Sequence, residues 1–156
     1  MKVVLTAIIA IVFAFGLAGS ASAQNYSATL DGLQEVPPNA SPGSGIGTFT
    51  LDAFNVLSYN ITFAGLVATE TAAHIHGPAS YGVAAGVIFP LPVGSPKVGT
   101  VGPLNATQVG YLNAGLLYVN VHSTAYTGGE IRGQIVATVP VEETSWGAIK
   151  GLYDSE

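Results

Sequence analysis

Leu116-Leu-Tyr-Val-Asn-Val-His122, Ser123-Thr-Ala-Tyr-Thr-Gly-Gly129 and Glu130-Ile-Arg-Gly-Gln-Ile-Val-Ala-Thr-Val139 follow one another without a break. In a strand, successive side chains point to opposite faces. Leu117, Val119 and Val121 therefore share one face, and Tyr118, Asn120 and His122 the other. In the second run Ile131, Gly133, Ile135, Ala137 and Val139 share a face, opposite Glu130, Arg132 and Gln134. Each run has an apolar side for a core and a polar side at its histidine or arginine end. The short link makes them antiparallel neighbours, about 4.8 Å apart. Asn120 and His122 then lie near Glu130 and Arg132.

The same reading extends outward. Strand signals recur at Tyr26 to Leu30, Gly47 to Asp52, Val56 to Phe63 and Ala72 to His76, and Ser80 to Val101 is a Gly/Pro-punctuated stretch with apolar pieces at Val87 to Leu91 and Val98 to Val101. Gly, Pro and Asn turns separate them, and Asp52 to Asn55 reads as a hairpin connection. One short helix is expected from Thr107 to Asn113, with Thr107 as its cap and Gly115 ending it. The fold class is all-β: an antiparallel sandwich or barrel.

Residues 1–23 read as a secretory signal peptide. Met1-Lys2 is a short basic start, Val3 to Leu17 is largely apolar, and Ala21-Ser-Ala23 is a small-residue cleavage site. The apolar run is short for a bilayer span, so no membrane span is expected after cleavage. The expected destination is exported, either periplasmic or extracellular. Residues 24–140 form one domain. Residues 141–156 form a C-terminal tail in which Trp146, Ile149, Leu152 and Tyr153 follow helical spacing. That tail reads equally as a docked amphipathic helix or as a sorting or attachment segment.

The chain has no cysteine, which excludes disulfides, thiolate metal sites and cysteine nucleophiles. Only 8% of residues are charged. No basic patch is present, so nucleic acid is not an expected partner. Asn60-Ile-Thr62 and Asn105-Ala-Thr107 match the glycosylation-acceptor pattern.

All three histidines fall in two short patches, at His74, His76 and His122. His74 and His76 share a strand face. If the second patch pairs nearby, three imidazoles converge on one surface, as a metal ion requires. The competing reading is structural, with the rings hydrogen-bonding carbonyls and Glu130. Imidazole-only donors suit copper, zinc or nickel. The lack of thiolates and of a close aspartate makes zinc less favoured than copper. Asn120, Glu130 and Gln134 are the expected supporting residues. Arg132 beside a metal would draw in small anions, or would pair with Glu130.

Leu33-Gln-Glu35-Val-Pro-Pro38, Ala73-His-Ile-His76-Gly-Pro-Ala79, and Leu117 to His122 followed by Gly129-Glu-Ile-Arg-Gly-Gln134 resemble the CHRD domain, named for chordin. The likeness spans Tyr26 to Val139 and is that of a bacterial exported single-domain member. It implies an extracellular β-sandwich or barrel module with no generally established activity. The order of His-x-His, Val-x-Val-His and a glycine loop with an arginine is also distantly similar to copper-zinc superoxide dismutase. That likeness implies a Greek-key-like barrel, copper ligands at His74, His76 and His122, and an anion-guiding role for Arg132. No further histidine exists for a zinc site, so it implies at most a mononuclear copper centre, with dismutation left open. The alternative function is a non-enzymatic module binding an extracellular protein or matrix component through loops such as Ser80 to Val101.

Overall fold

The computed structural model describes residues 23–138. The expected signal segment and the expected Trp146 tail fall on residues outside the described ones. The strands are β1 (Gln24–Asp31), β2 (Ser44–Leu51), β3 (Leu57–Ala64), β4 (Glu70–His76), β5 (Val87–Leu91), β6 (Lys97–Val101), β7 (Tyr118–Ser123), β8 (Ile131–Gln134) and β9 (Val136–Ala137). A 3-10 turn (Gly32–Gln34) follows β1, and one helix, α1 (Ala106–Asn113), precedes β7. Among the described residues no helix is long and apolar enough to cross a membrane.

The strands form one antiparallel, nearly closed sheet in the order β5-β4-β7-β8-β1-β2-β3-β6. The neighbours β4/β7, β8/β1 and β3/β6 are distant in sequence, so the chain crosses over instead of meandering. The apolar faces turn inward. Tyr26, Ala28 and Leu30 meet Phe49, Leu57, Tyr59, Ile61, Ile75, Val119, Val121 and Ile131 in one core. Each fully buried Leu, Ile or Val side chain contributes about 1.5–3 kcal/mol. Period-two alternation thus places the hydrophobic set of each main strand on the inner wall.

Two expectations change. The helix is capped by Asn105, not Thr107. Asn105 is extended, its side chain accepts from Gln108 N–H at 2.9 Å, and Gln108 Oε1 accepts from Asn105 N–H at 3.0 Å. This reciprocal box satisfies two backbone donors that Thr107, already inside the first turn, does not reach. Gly115 ends the helix as expected, with φ of 66°.

The run from Glu130 to Val139 is not one strand. Glu130 precedes β8, and pairing on the β7 side ends at Ile135 while pairing with β1 continues. That residue's N–H donates to Leu117 O at 2.9 Å while its side chain stays in the core. Beyond it β9 pairs with β1 alone, so Ala137 is exposed instead of joining the core face.

The polar face of β4, β7 and β8 is covered as well. Loops 77–86 and 123–129 and the segment around Glu35 lie over it. Tyr118, Asn120, His122 and Arg132 are accordingly buried like the core.

Candidate metal centre

Register places the polar residues in rows across the sheet. His74 on β4 lies opposite Asn120 on β7, which lies opposite Arg132 on β8, which lies opposite Asp31 on β1. His76 lies opposite Tyr118, which lies opposite Gln134. His122 pairs with Ala72, two residues before His74. The three imidazoles therefore occupy adjacent places on one face. Each offers a ring nitrogen, and these nitrogens lie within 4.8 Å of one another.

Backbone carbonyls set two of the rings. His76 Nδ1 lies 2.9 Å from Ala85 O, and His122 Nδ1 lies 3.0 Å from Thr127 O. A carbonyl only accepts, so each Nδ1 carries the hydrogen and each Nε2 keeps a lone pair. His76 Nε2 is buried with no hydrogen-bond partner. His122 Nε2 lies 3.1 Å from His74 Nδ1. Ring tautomers fixed from behind, with lone pairs facing inward, are the usual support of a metal-bound histidine.

The electrostatics favour neutral imidazoles at His74 and His76. Burial, then the proximity of His122, holds His74 below the ordinary histidine range. Burial also lowers His76. The bond to Ala85 O opposes that shift, while His74, His122 and Arg132 add to it. Neutral rings are ready to coordinate without first losing a proton.

The outer residues divide unevenly. Tyr118 stacks on His76 with ring centroids 5.1 Å apart and planes 13° apart, and the Arg132 guanidinium lies 3.5 Å from the Tyr118 centroid. Tyr118 Oη accepts from Ala85 N–H at 2.9 Å. Arg132 donates to Val83 O at 2.8 Å, Ser80 O at 3.3 Å and Gln134 Oε1 at 3.1 Å. These bonds fasten the loop whose Ala85 carbonyl sets His76. Arg132 is 1% exposed, so it is not presented to an anion diffusing in from solvent.

Gln134 carries on from Arg132 to the carbonyls of Ala79 and Gly115. Asn120 sits between His74 and Arg132 and donates to Glu35 at 3.4 Å. Glu130 lies elsewhere. It accepts from Ser41 Oγ and Val67 N–H, both at 2.6 Å, and makes no hydrogen bond to a histidine or to Arg132. Burial pushes its carboxyl up, but hydrogen bonds from Ser123, Ser41 and Val67 outweigh that and hold it low.

Sequence reasoning missed the place of Glu35 and the two carbonyls. Every residue has a carbonyl, so the sequence holds no signal for Ala85 or Thr127. Tyr118 was legible as a member of the His122 face, although its stacking was not.

The fold and site define an all-β barrel-like module with a three-histidine cluster on a loop-covered sheet face. The chain matches the CHRD domain over residues 26–135 and belongs to that family. No curated protein and no solved structure matches it.

Proposed function

We propose that this chain is an exported CHRD-domain protein that binds one copper ion through His74, His76 and His122. The observation that carries this reading is the preset geometry of the three rings. Two have Nδ1–H tied to carbonyls, and His76 Nε2 is buried without a partner. A buried lone pair without a partner costs about 1–3 kcal/mol, which a coordinated cation removes. The donor set favours copper, because the cluster contains imidazoles and no carboxylate or thiolate. Export is supported by the Met1–Ala23 pattern and by the extracellular character of the family.

A bound copper ion supplies one-electron redox chemistry, so superoxide-related turnover is the activity to assay. The chain's own residues do the holding. Ala85 O and Thr127 O orient two rings, Tyr118 packs against His76, and Arg132 fastens the covering loop while adding positive charge nearby. Titrating copper(II) into metal-free protein, followed by calorimetry and by electron paramagnetic resonance for nitrogen coupling, tests the reading. Stoichiometric binding that disappears in the His74→Ala/His76→Ala variant is expected. Absence of binding, or binding unchanged in that variant, refutes it.

A second reading is a non-enzymatic module that docks an extracellular protein or matrix polymer. Tyr81, Val83, Val87 and Val93 favour it, since these apolar side chains are exposed on β5 and the loops flanking it. Purification without tightly held metal but with a retained partner would select this reading over the first.

A further inference from the structure

Beside the histidines lies a second group of buried polar atoms that the copper reading does not use. Glu35 is 5% exposed, and its Oε1 has no hydrogen-bond partner. Asn120 Oδ1 is likewise buried and without a partner. The other halves of these groups already meet, since Asn120 Nδ2 donates to Glu35 Oε2 at 3.4 Å. Asn120 Oδ1, Asn120 Nδ2 and Glu35 Oε1 all lie within 2.5–2.6 Å of the point a Cβ would occupy on Gly129. An ionised carboxylate would leave two unpartnered acceptors facing one point under Gly129 with no hydrogen to share. One proton on Glu35 satisfies both and completes a ring of two reciprocal hydrogen bonds.

We infer that Glu35 is a positioning residue of the three-histidine centre: as a neutral acid it closes a ring with Asn120 beneath Gly129. This ring seats the loop whose Thr127 carbonyl orients His122. The loop is held at the same spot from the other side. Asn39 Nδ2 donates to Gly129 O at 3.4 Å and to Glu130 O at 3.1 Å, and Asn120 Nδ2 reaches Gly128 O at 3.5 Å. A cleft of about 230 Å3, lined by Glu35, Pro37, Pro38, Tyr126 and Gly129, adjoins the pair and gives protons a way in.

Burial raises the Glu35 carboxyl to about 7, against the pull of Arg132 and of hydrogen bonds from Val36 N–H and Asn120. The titratable groups around it are Arg132 on β8, Tyr126 on the loop, His122 two residues beyond Asn120, Glu130 after Gly129, and Asp31 before the 3-10 turn. When Glu35 ionises, the ring opens, the loop loosens, and His122 loses the partner that sets its tautomer. The consequence for copper rests on the copper reading above, whereas the ring itself is read without metal.

The test uses the full chain and its Glu35→Gln variant, in which an amide replaces the neutral acid at every pH. In metal-free protein, the Glu35 carboxyl carbon followed by nuclear magnetic resonance should titrate near neutrality. An ordinary carboxylate titration overturns the inference. With copper(II), the ratio of wild-type to Glu35→Gln dissociation constants should rise about tenfold between pH 6.5 and 8.5, the scale of losing a ligand's outer partner. A constant ratio overturns the positioning role. If neither protein binds copper, the copper reading fails. The His122 ring-nitrogen shifts in the metal-free pair then decide the role: tautomer mixing confined to wild type above neutral pH supports it, and identical behaviour of the two proteins overturns it.

Discussion

Replacing Lys97 by Met should be among the most damaging single changes to the strand that carries His74 and His76. Lys97 is 1% exposed, and its ammonium group pairs with Glu70, the first residue of β4. It also donates to Pro92 O at 2.7 Å and to Gly94 O at 2.8 Å, so all three of its hydrogens are used. Its charge lies 4.9 Å from the Phe63 ring centroid. Glu70 accepts in turn from Gly94 N–H at 2.6 Å.

Met keeps most of the stem and removes the charge and donors. It leaves a buried carboxylate and two carbonyls without their partner. Breaking a buried pair from one side costs about 3–5 kcal/mol, most of it the charge left behind. The double variant Lys97→Met/Glu70→Gln removes that charge, while the introduced amide oxygen still accepts from Gly94 N–H. It should recover at least half the loss. Equilibrium urea unfolding followed by circular dichroism measures both, with an unchanged denaturant slope as the check on two-state behaviour. A single-variant cost below about 1 kcal/mol, the worth of an exposed pair, would refute the reasoning.

The pH dependence of stability should separate wild type from Glu35→Gln. The folded pKa of Glu35, about 7, lies above its ordinary 4.5. Its contribution is therefore full below pH 4.5 and is lost as pH rises through 7. The unfolding free energy of wild type relative to the variant should fall across that window, by about 2–3 kcal/mol after allowance for solvent screening. A flat difference would count against a raised carboxyl. Gly129→Ala should cost about 2 kcal/mol or more, since φ is 138° and the added Cβ meets Asn120 and Glu35 atoms at 2.5–2.6 Å. Thermal unfolding and copper uptake should both show the damage. Asn105→Ala should cost about 1 kcal/mol through loss of the α1 cap, whereas Thr107→Ala should leave the melting temperature nearly unchanged.

Much of the strand framework was readable because period two is a local property. Leu57, Tyr59, Ile61 and Phe63 alternate, and the first three are buried. Val87–Leu91 was legible only as an apolar piece of a Gly/Pro-punctuated stretch, and its pairing with β4 makes it a strand. Reading failed where a tertiary contact overrides the local pattern. Beyond Ile135 the β7 neighbour is lost while β1 pairing continues, and the alternation counted from Ile131 no longer predicts the exposure of Ala137. At Glu130 the side chain was assigned to the histidine face from parity, but the residue precedes the strand and turns to Ser41 and Val67.

By itself the sequence determined the alternation that builds an all-β core, the donor chemistry available to a metal, and the exclusion of thiolate sites. It also put His74 and His76 on one face, because a two-residue spacing requires that of any strand. Only the tertiary structure decided that β4 pairs with β7 and brings His122 to them, since strand order depends on long-range pairing. Only it buried Arg132 beneath the Ser80–Val83 carbonyls and placed Glu35 against Asn120. Both follow from loops folding over a polar face, and covering that face gives its hydrogen bonds and charges their strength.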